Sequence, residues 1–171
     1  MELVLVLHNI RSTYNVGSIL RTADGFGVSR IIYSGYTPTP DPLSKLLPHL
    51  SKKITQQIHK TALGAEQSII SLATSDLKLT LQEYKNADFQ VIGLENNLQD
   101  QNTHLLTEPH LPIFLKRKVV ILLGEEVSGI SKDLFSLIDL FLEIPMYGKK
   151  ESFNVSIATA ILLFYLRCQV K

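Results

Sequence analysis

Apolar residues follow two spacings along this chain. Short continuous runs at residues 3–7, 30–34, 89–94, 119–123 and 141–144 have the length and residue content of β-strands, and a weaker run falls at 68–72. Between them the apolar positions recur at steps of three and four. Val16, Ile19, Leu20, Ala23 and Phe26 predict a helix that Asn15 caps and that Gly25 and Gly27 stop. Leu77, Leu81 and Tyr84 predict a helix over 76–86, Ser131 predicts the cap of another reaching Asp139, and a turn or short helix fits 61–66. A final helix over 154–170 carries Val155, Ile157, Ala158, Ile161, Leu162, Leu163, Phe164 and Leu166, so it is apolar around most of its circumference. Such a helix is buried in a core or against a second copy of the chain. Strands alternating with helices give an α/β fold with a mainly parallel sheet flanked by helices, and the most continuous run, 119–123, belongs at its centre.

Three segments lack these periods. Residues 35–42 hold three prolines in eight positions and cannot be regular. Residues 43–60 are polar and basic with scattered leucines, which suits an ordered but exposed excursion, and 98–118 is loop-like, with Pro109, Pro112 and the triplet Lys116, Arg117, Lys118. On the first helix, Arg21 falls opposite the apolar stripe beside Gly17 and Ser18, which turns it to a cleft or to solvent, with Gly17 leaving room beside it.

At 171 residues and 45% hydrophobic, the chain can bury one substantial core, and a single domain over 1–171 without an appended RNA-binding domain is expected. A net charge of +1 excludes a strongly basic polyelectrolyte, yet the charge is unevenly spread. Residues 1–60 carry seven Lys and Arg against three acids, a balance of +4 that leaves −3 for the remainder and points to an anionic partner near the N-terminal third. The lone Cys168 excludes an intrachain disulfide and a cysteine metal site, and the N-terminus lacks a signal-peptide pattern. A cytoplasmic setting follows, and the most apolar segment is too short to span a bilayer, so no membrane association is expected.

Several chemistries can be weighed from spacing. GEEVSGIS, residues 124–131, follows a strand as a phosphate-binding loop does, but Ile130 stands where that loop needs lysine, which makes an NTPase a poor reading. The G-x-G of residues 25–27 comes at a helix end and reads as a turn. His8, His49, His59, His104 and His110 lie far apart without ligand spacing, so no metal is expected, and no G-x-S-x-G elbow is present. Asn9, Arg11, Asn15 and Arg21 crowd the first strand-to-helix junction. Arginine forks match phosphate and asparagine both donates and accepts, although Asn15 as a simple cap beside solvated arginines explains the same residues.

Three blocks taken together, NIRSTYNVGSILRTA at 9–23, LLGEEVSGIS at 122–131 and IPMYGKKESFNVSIATA at 144–160, resemble the SpoU/TrmH family of RNA methyltransferases in the SPOUT class. Phe153, where leucine is common, and a second acid at Glu125 are slight departures. The resemblance implies an α/β domain with a C-terminal trefoil knot, S-adenosylmethionine as cofactor, a homodimer, and methyl transfer to a ribose 2′-hydroxyl of tRNA or rRNA. It implies cofactor contacts at Leu94, Glu95, Leu123, Gly124, Ile144, Met146, Ser152 and Asn154, and a catalytic set of Asn15, Arg21, Glu126 and Asn154. Arg21, charged at nearly any pH, suits a phosphate or ribose clamp, and Glu126 suits orienting Arg21 or taking the proton. RNA docking is expected on Arg11, Arg21, Lys52, Lys53 and Lys60, with Lys116, Arg117 and Lys118 in support. A non-catalytic RNA-binding adaptor of the same fold is the alternative, and the intact Asn15, Arg21, Glu126, Ser152 and Asn154 count against it.

Overall fold

The computed structural model describes residues 1–98, 102–109, 111 and 115–169. Seven strands form one sheet in the order β3-β2-β1-β6-β4-β7-β5. They are β1 (Glu2–His8), β2 (Arg30–Ser34), β3 (Ser71–Thr74), β4 (Gln90–Leu94), β5 (Thr103–Leu105), β6 (Lys118–Leu123) and β7 (Leu140–Glu143). Every pairing is parallel, and β6 occupies the middle, as its unbroken apolar run predicts.

The pleat sorts the strand side chains into two cores. Leu3, Leu5, Leu7, Val119, Ile121 and Leu123 face α1 (Thr13–Gly25) and α5 (Val155–Gln169), with α2 (Pro48–Ala62) packed beyond. Val4, Val6, Val120 and Leu122 face α4 (Leu77–Asn86) and a 3₁₀ helix over Lys132–Leu137. Gly93 belongs to this second face because a Cβ there would sit 2.7 Å from the Phe141 ring.

The cap of α1 is Ser12, one turn earlier than expected, and its hydroxyl accepts from Asn15 N at 3.2 Å. That exchange frees the Asn15 side chain. Residues 43–60 are not an excursion: most of them form α2, which lies against α1 through Ile58 and Ala62, while the buried Ser51 donates to Asp41. Pro48 stands in the first turn, where its missing N–H costs nothing. The close approach explains Gly17, whose absent Cβ would lie 2.1 Å from Thr61 Oγ1 and 2.3 Å from the Ile58 carbonyl oxygen. Gly17 therefore makes room for α2 and not for Arg21. Gly17→Ala, meeting backbone as well as a side chain, is expected to destabilise the protein by about 1–3 kcal/mol, read as a fall in the urea midpoint at unchanged slope.

Smaller differences have local causes. The strand expected at 68–72 begins at Ser71, because β3 is an edge whose Leu72 and Ala73 face solvent and give no inward pattern. β5 lies inside the stretch read as a loop, being only three residues at the opposite edge. A short helix, α3 (Ala65–Ser68), stands where a turn or short helix was expected at 61–66. The helix expected from Ser131 to Asp139 is the six-residue 3₁₀ helix, and the Ser131 hydroxyl bonds to the Asp133 carboxylate without capping it. His110, Pro112 and Val170 lie outside the described residues.

Candidate functional site

A parallel sheet gathers its strand ends at one edge, and the turns there reach across one another. After β6 the chain turns back sharply: Glu125 N donates to Gly129 O at 3.1 Å and Gly129 N to Glu125 O at 2.9 Å, with Gly129 at φ +69°. These amides are spent on each other, so GEEVSG is a closed turn and not a phosphate cradle. Glu95, at the end of β4, accepts from Ile130 N at 2.8 Å and fixes this turn from the other side. Burial pushes the Glu95 carboxyl up against the pull of the Ile130 and Asn96 amides.

Asn96 joins the third piece. Its amide donates to Ile144 O at 2.8 Å and accepts from Ile144 N at 3.2 Å, while Asn97 donates to Glu151 O at 3.2 Å. The segment after β7 is thus held beside the ends of β4 and β6. Together the three pieces enclose a cavity of about 320 Å³, within the range of small-ligand sites. Leu94, Glu95, Leu123, Gly124, Ile144, Ser152 and Asn154 line it, with Val155 and Ala158 of α5 behind. Met146 is the one expected cofactor contact that does not line it.

At the rim, Glu126 reaches over to the start of α1. Its carboxylate accepts from Arg11 N at 3.2 Å, Ser12 N at 3.3 Å and Asn15 Nδ2 at 3.1 Å. With its Nδ2 so engaged, Asn15 turns Oδ1 toward Asn154, which donates at 3.2 Å. Asn154 Oδ1 in turn accepts from Ser156 N at 2.9 Å and Ser156 Oγ at 2.7 Å. Glu126, Asn15, Asn154 and Ser156 form one directed relay across the crevice between β1 and β6, where an open α/β sheet binds ligands.

Burial pushes the Glu126 carboxyl up, but the bonds from Arg11 N, its own amide, Asn15 and Ser12 N outweigh burial and hold it below the ordinary carboxylate range. A depressed folded-state pKa contributes stability that is present above the unfolded value near about 4.3 and is lost as pH falls through the folded one. The urea midpoint of Glu126→Gln should therefore lie below that of the unaltered protein at pH 7, and the two should converge as the pH drops below about 4. Parallel midpoints across the titration would contradict this.

Arg21 is not part of the relay. It stands exposed on α1, six residues beyond Asn15 and so about 9 Å along the axis, with no hydrogen bond or ion pair among the described residues. Glu126 orients Asn15, not Arg21. Arg11 reaches the rim, its Nε 3.7 Å from Glu125. Lys52, Lys53 and Lys60 share the exposed face of α2, away from the cavity. Lys116 pairs with Asp88 at 2.6 Å, and Lys118 opens β6, about 17 Å along the strand from the cavity end. That triplet is at the wrong edge of the sheet to serve the site. Asn96, Asn97 and Ser156 escaped the sequence reading, and only the asparagine pair directly after an apolar strand hinted at them. Among the described residues no cluster of His, Cys, Asp and Glu could hold a metal ion, and no helix is long and apolar enough to cross a membrane.

A sequence model of the SpoU rRNA Methylase family matches residues 2–164. The chain is 29% identical over 162 residues to the 23S rRNA (guanosine-2′-O-)-methyltransferase RlmB of Nitrosomonas europaea, covering 95% of this chain and 54% of the relative. It is similar in structure to the AdoMet-bound rRNA methyltransferase from Sinorhizobium meliloti, at 25% identity and a TM-score of 0.76, over 99% of this chain and 57% of that one. The A. aeolicus TrmH/SpoU tRNA modifying enzyme is likewise similar, at 25% identity and a TM-score of 0.70, over 98% and 75%. This chain spans little more than half the length of the curated relatives it matches.

Proposed function

We propose, from the premise that this chain belongs to the SpoU rRNA methylase family, that it is an RNA methyltransferase which uses S-adenosylmethionine to methylate a ribose 2′-hydroxyl of tRNA or rRNA. The observation that carries the reading is the Glu126, Asn15, Asn154 relay at the rim of a cavity lined by seven of the eight expected cofactor contacts.

The residues present fit the cofactor. Leu94, Leu123 and Ile144 offer apolar walls to an adenine, Ser152 and the strand-end backbone offer polar partners, and Gly124, lacking a Cβ, lets the Gly129–Ile130 backbone close in to shape one wall. Bound there, S-adenosylmethionine supplies a methyl group already activated by its sulfonium. The protein's work is then alignment and charge control. Glu126, hydrogen-bonded on both carboxylate oxygens and low in pKa, is a poor proton acceptor and a good anchor. It fixes the Asn15 amide, which fixes that of Asn154, so their remaining hydrogens present donors of set direction to a substrate oxygen.

Arg21 acts in this reading as a clamp on phosphate or ribose, reached when RNA and a second copy of the chain are present. The exposed Ile157 and Phe164, one heptad apart on α5, offer an apolar stripe for that copy. Arg21→Ala should lower transfer by about tenfold, the worth of one exposed bidentate contact, with affinity for S-adenosylmethionine within about twofold of the unaltered protein. Equal loss of both would make Arg21 structural. A trefoil knot belongs to the same reading, and the pinning of Ile144 and Glu151 by Asn96 and Asn97 supports a threaded C-terminal segment.

The test is incubation with methyl-labelled S-adenosylmethionine and unmodified tRNA and rRNA transcripts, followed by mass spectrometry of the nucleosides. A 2′-O-methylated nucleoside is expected and names the base. Label on a base atom would refute the ribose reading, and cofactor binding without product would favour the adaptor.

A further inference from the structure

A second cavity, of about 430 Å³, lies where β2 ends and α2 begins. Tyr36, Pro38, Leu43, Lys45, Leu46 and Ile54 wall it, and the relay uses none of them. We propose that this cleft receives an unpaired nucleobase of the substrate RNA, next to the nucleotide whose ribose is methylated, with Tyr36 as its stacking surface. The inference rests on the methyltransferase reading and adds to it that the substrate is a loop or single-stranded region.

Position favours this occupant. β2 is two strands from β6, so at about 4.8 Å per strand the cleft opens about 10 Å from the Leu123 end of the first cavity. A neighbouring nucleotide covers that distance. Tyr36 stands between the two cavities, 53% exposed, with its hydroxyl against the Glu125 carboxylate and Arg11 nearby.

Its backbone is rigid. Tyr36 N donates to Asn9 Oδ1 at 3.2 Å, while Thr37 Oγ1 donates to Leu7 O at 2.8 Å and accepts from Ile10 N at 3.1 Å. Gly35 at φ +63° lets Asn9 approach so closely that a Cβ would lie 1.8 Å from Asn9 Oδ1. An exposed aromatic on a fixed backbone presents its face without an ordering cost, which is how unpaired bases are held.

Charge complementarity selects nucleic acid over an apolar peptide. Between Asp41 and Glu66 the sequence holds no acid, and Lys45 at the cleft precedes Lys52, Lys53 and Lys60 on the outer face of α2. This basic track runs from the cleft along the helix, as a phosphate backbone would require.

Transcripts of tRNA and rRNA substituted with 4-thiouridine or 6-thioguanosine test the proposal by photo-crosslinking and peptide mapping, alongside titration of the same RNAs against variants. Cross-links within residues 36–46 are expected. Tyr36→Ala, and Ser44→Trp which fills the cleft, should weaken RNA binding roughly 5- to 150-fold, while Tyr36→Phe stays within about twofold and all three bind S-adenosylmethionine normally. Cross-links only elsewhere, or RNA affinity of both Tyr36→Ala and Ser44→Trp within about twofold of the unaltered protein, would overturn it. Cross-links in the cleft without any methylated nucleoside would retain the RNA site and remove the enzyme; product without cross-links there would do the reverse.

Discussion

Glu126→Ala should lower the rate of methyl transfer by about a hundredfold while changing affinity for S-adenosylmethionine by less than about threefold. The size comes from three donors losing an ionised acceptor, discounted for partial exposure to about 1 kcal/mol each, against about 1.36 kcal/mol per power of ten in rate. Arg11 N, Ser12 N and Asn15 Nδ2 lose their partner together, and the Asn154 amide loses its fixed neighbour. Glu125→Ala is the control. Glu125 meets Arg11 at only 3.7 Å, and that arginine side chain is exposed, so its loss should cost transfer less than about fivefold. Single-turnover rates at saturating cofactor, with calorimetric titration for affinity, separate the two residues. Equal effects at 125 and 126 would mean that local charge matters and the relay does not.

Gly124→Ala should act on the cofactor instead. A Cβ on Gly124 would stand 2.4 Å from Gly129 C, 2.5 Å from Gly129 O and 2.5 Å from Ile130 N. All three are backbone atoms of a turn already closed by the Glu125 and Gly129 pair and braced by Glu95, so no side chain can swing aside. Overpacking of this kind costs about 1–3 kcal/mol, and because the turn forms one wall of the cavity, affinity for S-adenosylmethionine should fall roughly 5- to 150-fold. Gly148→Ala meets nothing within 4 Å and should bind as the unaltered protein does.

Much of the architecture was legible in the chain because buried parallel strands advertise themselves. Residues 3–7 and 119–123 are apolar on both faces and sit side by side at the centre of the sheet. The edges were not legible, since β3 exposes Leu72 and Ala73 and β5 has too few residues to show a period. α2 was hidden for a different reason: Ile54, Ile58 and Ala62 do recur at steps of four, but only three of its positions are buried, one of them Ser51, and polar and basic residues fill the rest. The site divides the same way. Residues such as Gly124 and Ile144 sit at strand ends that an apolar run foretells. The bond from Asn15 to Glu126 joins positions 111 apart, and no local pattern contains it. Arg21 is exposed on α1 as its place opposite the apolar stripe predicts, yet nothing in spacing tells that it stands a turn and a half beyond Asn15 with no bond to the relay.

The bond between Asn15 and Asn154 spans 139 residues and has a consequence during biosynthesis. At about 5–20 residues per second, the ribosome adds Asn154 roughly 7–28 s after Asn15. Through that interval the chain lacks the last helix, and for most of it the turn after β6 as well, so the relay is incomplete. On the methyltransferase reading, a nascent chain carries the basic residues of the proposed RNA track before it holds the relay that would serve transfer.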